Sequence, residues 1–323
     1  MPSLQSVSFG SFIVEAVFLG DTPAFACGDG TIRVADGNVA RTLRAHGGGL
    51  LAAAVSEDGR SLLTGGDDGR VVLTSADGKS ATVTERPRKW IDLVAVGPSG
   101  VIAFAVGREA IVRFPDGRER VLTHDRSVGG LAFAPKGLRL AVARYDGVTL
   151  WWAGTEAPAQ NLLWKGAHLA VTFSPDGRNV VTSMQENALH GWRLTDGKDM
   201  RMSGYPAKPK SMSWSPKGRF LATSGANAAI LWPFHFKDGP IGKQPIQLGP
   251  REPLVTRVAC HPSQELVAIG YQDGSVLIGR IADGNEARLR PASGSPISAL
   301  GWDRQGKRLA LGTEDGTAGI ITL

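Results

Sequence analysis

Six histidines, two cysteines and a scatter of Asp-Gly pairs are the residues in this sequence best suited to chemistry. Their spacing argues against it. A zinc hydrolase wants two histidines one helical turn apart around a glutamate, and His46, His124, His168, His190, His235 and His261 show neither that spacing nor H-x-H. His124-Asp125 has no partner histidines to complete a metal pair. The turns "GGDDG" and "GYQDG" lack the spaced acids and distal glutamate of a calcium loop. "GDGT" at 28–31 is followed by no Lys-Ser/Thr and opens no helix, so it is not a phosphate cradle. No G-x-S-x-G elbow occurs. Cys27 and Cys260 are far apart and outside any C-x-x-C; they read as buried thiols in strands, which fits a reducing, cytoplasmic setting. No catalytic residue, metal or cofactor is assigned, and the chain is not expected to be an enzyme.

Composition points to turns and strands. Glycine is 42 of 323 residues, about twice its usual share, with no collagen period. The net charge of +6 is mild for the length and matters only where it clusters. No charge-free apolar run is long enough to span a bilayer, so no membrane association is expected. Residues 16–27, "AVFLGDTPAFAC", superficially look like an export signal ending in cysteine. They lack a basic start and are interrupted by Asp21, so a strand is expected instead.

The elements that would position these residues repeat. Aligning the last apolar residue before each corner picks out Val55, Val96, Phe133, Phe173, Trp214, Cys260 and Trp302, spaced 41, 37, 40, 41, 46 and 42 apart. A degenerate earlier copy places Phe18 there. Each copy runs apolar strand, corner such as "SPDG", apolar strand, tight turn such as "DDGR", third strand, and a more polar fourth. Asp-Gly supplies the positive φ that hairpin turns need, and proline presets the corner. Another Asp-Gly closes most copies, at Asp36, Asp77, Asp116, Asp196, Asp238 and Asp283. No helical period appears.

Four strands every ~40 residues predict an all-β, radial array of four-stranded sheets. The expected fold is a single closed β-propeller of eight blades, with seven as the alternative. The units run approximately over 12–48, 49–88, 89–127, 128–167, 168–208, 209–253, 254–295 and 296–323, the last completed by an N-terminal strand at 3–11. Joining both chain ends in one sheet removes open edges.

"VTFSPDGRNVVTS", "SWSPKGRFLATS", "SLLTGGDDGRVVL" and the evenly spaced Trp152, Trp192 and Trp232 make the chain resemble the WD40-repeat β-propellers over essentially its whole length. The resemblance implies a buried hydrogen-bonded set in each blade: a His before the first strand, a Ser/Thr in the second, an Asp in the next turn and a Trp in the third. The second unit offers His46, Thr64 and Asp68, with Thr74 where Trp belongs. The fourth offers His124, Asp146 and Trp152, with Val142 at the hydroxyl position. The fifth offers Thr182, Glu186 and Trp192, with Trp164 at the His position. The Trp-Asp pair that names the family is missing from every third-strand end, which makes this a divergent member. His46 and His124 each stand nine residues before the aligned position, Val55 and Phe133, which favours a structural over a metal-binding role.

The surface then carries function. The inter-blade loops are basic: Arg86, Arg88, Lys89 and Trp90 in "RPRKW", then Arg126, then Lys208 and Lys210 near Tyr205 in "YPAKPK", then Arg251. The turns between second and third strands add Arg108, Arg144, Tyr145 and Tyr271. Arg, Trp and Tyr dominate interface energetics, so these residues predict binding of a protein or an acidic peptide. Thirty acidic residues dilute the positive field and argue against nucleic acid. The expected function is a non-catalytic adaptor, monomeric by itself. A channel-bound small molecule or metal, or a propeller enzyme, is the alternative class. The Pro/Gly-rich insertion at 234–253 is a further possible docking loop.

Overall fold

The corner and turn chemistry explains the local structure. In the computed structural model, which describes residues 3–36 and 39–323, the aspartate of most described Asp-Gly pairs accepts a hydrogen bond from the amide two residues on. Asp58 takes Arg60 N at 2.9 Å, Asp176 takes Arg178 N at 3.0 Å and Asp273 takes Ser275 N at 2.9 Å. The glycine between, such as Gly59 at φ 72°, sits in the left-handed region where a Cβ would be strained. Ser56 and Ser174 add a hydroxyl bond to the same aspartates, each at 2.6 Å. These devices reverse the chain between apolar strands. The closing pair Asp36-Gly37 runs into residues 37–38, outside the described residues.

The strands form an antiparallel β-propeller of seven sheets rather than the eight expected. Four strands make the first sheet: Ile13–Leu19, Thr22–Cys27, Thr31–Asp36 and Val39–Arg44. The second holds Leu50–Val55, Ser61–Gly66, Arg70–Ser75 and Ser80–Glu85. The third holds Val94–Val96, Ile102–Val106, Glu109–Arg113 and Glu119–Thr123. A long sheet of six strands follows: Val128–Phe133, Arg139–Trp152, Gln160–Phe173, Asn179–Met184, Ala188–Arg193 and Asp199–Met202.

The long sheet accounts for the count. Two of its strands run 14 residues without a break and each serves two ladders. Residues 140–144 pair with Val128–Phe133, whereas 147–150 pair with 160–163. Residues 168–173 then pair with 180–184. The Tyr145↔Ala167 pair, separated by a register shift from Gly147↔Leu163, joins two repeats into one sheet.

The fifth sheet is Met212–Trp214, Phe220–Thr223, Ala229–Pro233 and Ile246–Leu248. The sixth is Val255–Cys260, Leu266–Tyr271, Val276–Arg280 and Glu286–Arg290. The seventh is Ile297–Trp302, Arg308–Thr313 and Thr317–Thr322. It is completed by Ser3–Ser8, paired from Ser3↔Thr322 to Ser8↔Thr317, as expected.

By contacts the chain divides into two compact units. A terminal unit contains residues up to Gly28, Ile32–Thr42 and Met202–Leu323; a middle unit contains Asp29–Thr31 and Leu43–Arg201. In each, the second strands are the most buried, as in Leu63, Ala103, Val142, Leu221 and Leu311. Burying such side chains is worth about 1.5–3 kcal/mol each. In the terminal unit, side-chain hydroxyls stitch neighbouring first strands together. Thr256 donates to Ile297 O at 2.7 Å and Ser298 donates to Ile13 O at 2.7 Å. In the middle unit glycine performs this fitting. A Cβ on Gly129 or Gly130 would meet the backbone of His168 or Ala170. Among the described residues no helix is long and apolar enough to cross a membrane.

Candidate functional site

Two neighbourhoods of the middle unit place the chemically distinctive side chains. The first is structural. Imidazole Nδ1 of buried His46 lies 3.0 Å from Asp68 Oδ1, and Nε2 lies 2.9 Å from Thr64 Oγ1. Asp68 also accepts Gly47 N at 2.9 Å and Arg70 N at 3.1 Å. Partial burial alone would raise the Asp68 carboxyl, but these donors outweigh it and hold it below its ordinary range. Thr64 Oγ1 lies 3.3 Å from Val72 O on the next strand, as a donor to it. The set thus ties loop, second strand, turn and third strand together.

The second neighbourhood is a surface. The loop after the second sheet carries Arg88, Lys89 and Trp90, with Trp90 69% exposed. With Arg108 and Asp92 they line a cleft of about 700 Å³. Across the third sheet a cleft of about 570 Å³ is lined by His124, Arg126, Arg144 and Tyr145, among others. Among the described residues, Arg88, Lys89, Arg108 and Arg126 are exposed and form no intramolecular ion pair or side-chain hydrogen bond. Other arginines of this unit are engaged. Arg86 and Arg113 share Glu119, Arg118 holds Asp116 and Arg193 holds Asp196. Arg86 is therefore corrected from a surface anchor to a bracing residue, its guanidinium 5.3 Å from the Phe104 ring centroid.

Comparisons with known proteins agree with this architecture. The WD domain, G-beta repeat profile matches residues 37–75, and the anaphase-promoting complex subunit 4 WD40 domain profile matches 256–323. WD repeat-containing protein 55 of Rattus norvegicus is 26% identical over 196 residues, 58% of this chain and 50% of that protein. The chain is thus similar to WD40-repeat proteins in two separate stretches and over more than half its length. Telomerase protein component 1 of Mus musculus is also 26% identical over 203 residues, 60% of this chain but 7% of that protein. The chain's match thus spans half of one relative and a small part of the other. The crystal structure of the computationally designed Ika8 protein superposes with a TM-score of 0.79 at 20% identity, over 98% of each chain, a likeness of fold alone.

Measured against the WD40 set, each predicted group has a different outcome. His46, Thr64 and Asp68 assemble, and Thr74, standing for Trp, lies 2.9 Å from Ser80 Oγ instead. The fourth unit's set does not form. His124 Nε2 is buried without a partner, and Asp146, at φ 65°, accepts Gly166 N at 3.3 Å. Val142 gives His124 no hydroxyl, and Arg144 takes over that face, donating to Thr149 at 3.0 Å and Asn161 at 2.9 Å. Trp152 packs beside the core cluster of Val148, Leu150 and Trp192.

In the fifth unit the histidine comes from an unexpected position. His168, within its first strand, places Nδ1 2.7 Å from Thr182 Oγ1 and donates Nε2–H to Trp164 O at 3.0 Å. Burial lowers its pKa, which suits the neutral tautomer. Glu186 accepts Ala167 N at 3.2 Å. Trp164 stacks on His190 at 3.9 Å, and Trp192 meets His190 edge-on at 4.7 Å. Neither ring nitrogen of His190 makes a hydrogen bond; Asp199 Oδ2 is 3.3 Å from Nε2 but out of line for one. Burial, then His168 and Arg201, push its pKa down to about 3.

Two further surface assignments are overturned by burial. Tyr205 is 7% exposed; its hydroxyl lies 2.7 Å from Thr223 Oγ1 and accepts Trp232 Nε1–H at 2.6 Å. It fills the WD40 histidine position of its unit, and the signal was in the sequence: Tyr205 precedes Trp214 by the same nine residues that separate His46 from Val55. Tyr271 is fully buried and donates its hydroxyl to Gly249 O. Arg251 is half-buried, its guanidinium 5.7 Å from the Tyr271 ring centroid and its Nε buried. Lys210 is exposed and Lys208 half-buried.

Proposed function

We propose that this WD40 propeller is a non-catalytic protein-interaction scaffold whose middle unit binds an acidic segment of a partner. One observation carries the reading. Arg88, Lys89 and Arg108 stand exposed and unengaged around a cleft beside a 69%-exposed tryptophan, while neighbouring arginines are held by carboxylates. Unpaired cations with an aromatic anchor favour acidic ligands by charge complementarity, and central Arg and Trp residues carry about 2 kcal/mol or more each. Similarity to WD40-repeat proteins supports the scaffold role, and a cytoplasmic setting is proposed with it, in keeping with two cysteines far apart in sequence and outside any C-x-x-C. We also propose that the chain is one domain in which the long sheet serves as two repeats, supported by its two independent ladders.

Fluorescence anisotropy with a labelled hexaglutamate peptide tests the site. Arg88→Ala with Lys89→Ala and Trp90→Ala is expected to weaken binding at least about tenfold. Wild-type affinity should fall with added salt. Equal binding by wild type and triple variant would remove this surface from consideration.

A further inference from the structure

The fourth unit keeps its histidine but has lost the hydroxyl that should engage it. His124 is 8% exposed, and its Nε2 is buried without a partner. It lies in the cleft of about 570 Å³ together with Arg126 and Arg144. Arg144 spends its donors on neutral oxygens: Tyr145 O at 2.9 Å, Thr149 Oγ1 at 3.0 Å and Asn161 Oδ1 at 2.9 Å. Its charge is therefore not neutralised by contact. Arg126 is exposed and unengaged. The cleft's own acids are Asp125 and Asp146, and Asp146 already accepts Gly166 N. Leu163, 69% exposed, and Tyr145, 45% exposed, form its apolar side.

A buried imidazole nitrogen lacking a partner is a standing cost of about 1–3 kcal/mol unless something completes it. We infer that this vacated WD40 set is a recognition pocket for one carboxylate side chain, Asp or Glu, of the bound acidic segment, with His124 donating to it and Arg126 and Arg144 supplying charge. The inference rests on the acidic-partner reading and specifies where one of its side chains seats. Leu163 and Tyr145 would cover the methylenes of that side chain.

The pocket predicts a proton linkage. Burial first, and then Arg144, hold the His124 pKa below its ordinary value, against an opposing pull from Asp125. The free protein therefore carries His124 neutral at pH 7. A carboxylate seated beside it favours the imidazolium and raises that pKa, so binding takes up a proton. Affinity should rise as pH falls from 7.5 towards 6, by at most about tenfold per pH unit.

The test uses the full chain with hexaglutamate, and hexaglutamine as control. Imidazole resonances are followed by NMR, with His124 assigned from His124→Asn. The expected result is a shift of the His124 signals and a raised His124 pKa on adding hexaglutamate, with no response to hexaglutamine. Arg126→Ala, an exposed substitution that spares folding, should weaken binding roughly fivefold or more. If hexaglutamate binds, remains sensitive to Arg88 and Lys89, yet leaves His124 unmoved and ignores Arg126→Ala, the pocket is wrong and the broader surface stands. If hexaglutamate fails to bind the wild type at all, both fall.

Discussion

The second and fourth repeats place a histidine at the same spacing, yet one is locked and the other is not. His46 reaches Thr64 and Asp68, and every strong polar group in its set is satisfied. His124 meets Val142 where Thr64 would be, and its Nε2 is left over. A missing hydroxyl at Val142, and Asp146 turned to Gly166 N rather than to the imidazole, separate the brace from the unengaged histidine. The lesson is that a WD40 position records where a side chain lies; its partners decide whether it stabilises the fold or stays available to a ligand.

The comparison breaks most readily by deletion. His46→Ala removes the imidazole that joins Thr64 to Asp68, leaving them only Val72 O and the Gly47 and Arg70 amides, and should cost about 1–3 kcal/mol in denaturant-measured stability, against less than about 1 kcal/mol for His124→Ala. Similar losses would show that the two histidines do equivalent work. Tyr205→Phe comes next. It removes the acceptor for Trp232 Nε1 and the partner of Thr223, and should cost about 1–3 kcal/mol although the position looks like surface in the sequence. A loss near zero would return Tyr205 to the interface.

His190 sharpens the contrast through pH. Its folded pKa of about 3 lies below the ordinary histidine value of about 6.5. Its stabilising contribution is therefore complete above pH 6.5 and is lost as pH falls from there towards 3. His190→Phe keeps the ring between Trp164 and Trp192 without polar nitrogens. Melting temperatures from pH 7 to pH 4 should fall less steeply in that variant than in the wild type, and parallel curves would show that His190 is not responsible. The smallest effect belongs to Val142→Thr. Restoring the hydroxyl should engage His124, add about 0.5–1.5 kcal/mol and weaken hexaglutamate binding. Destabilisation with unchanged peptide affinity would mean that the missing hydroxyl does not define the cleft.

Much of this was legible in residues. The corner and turn pattern located the strands because Asp, Gly and Pro act on their own backbone within two or three positions. The Ser3–Ser8 strand and its partner were legible because an unfinished last repeat needs a fourth strand. The candidate surface was only partly legible. Composition marked Arg88, Lys89 and Trp90, and the structure leaves them exposed. It also marked Arg86, Tyr205 and Tyr271, which packing turns inward or pairs. Tyrosine and arginine carry apolar bodies with polar tips, so residue type alone does not say which way they face. The seven-sheet count was not legible either, since it depends on whether pairing runs through Tyr145 and Ala167.

By itself the sequence determined the repeat, the strand order and where basic residues gather in the loops. These follow from local backbone preferences and from charge, which need no knowledge of distant neighbours. The tertiary structure decided which cations stay unpaired, which histidine finds its hydroxyl and which tyrosine is buried. Those outcomes depend on atoms brought together from far along the chain, where a hydrogen bond forms or fails over less than an ångström.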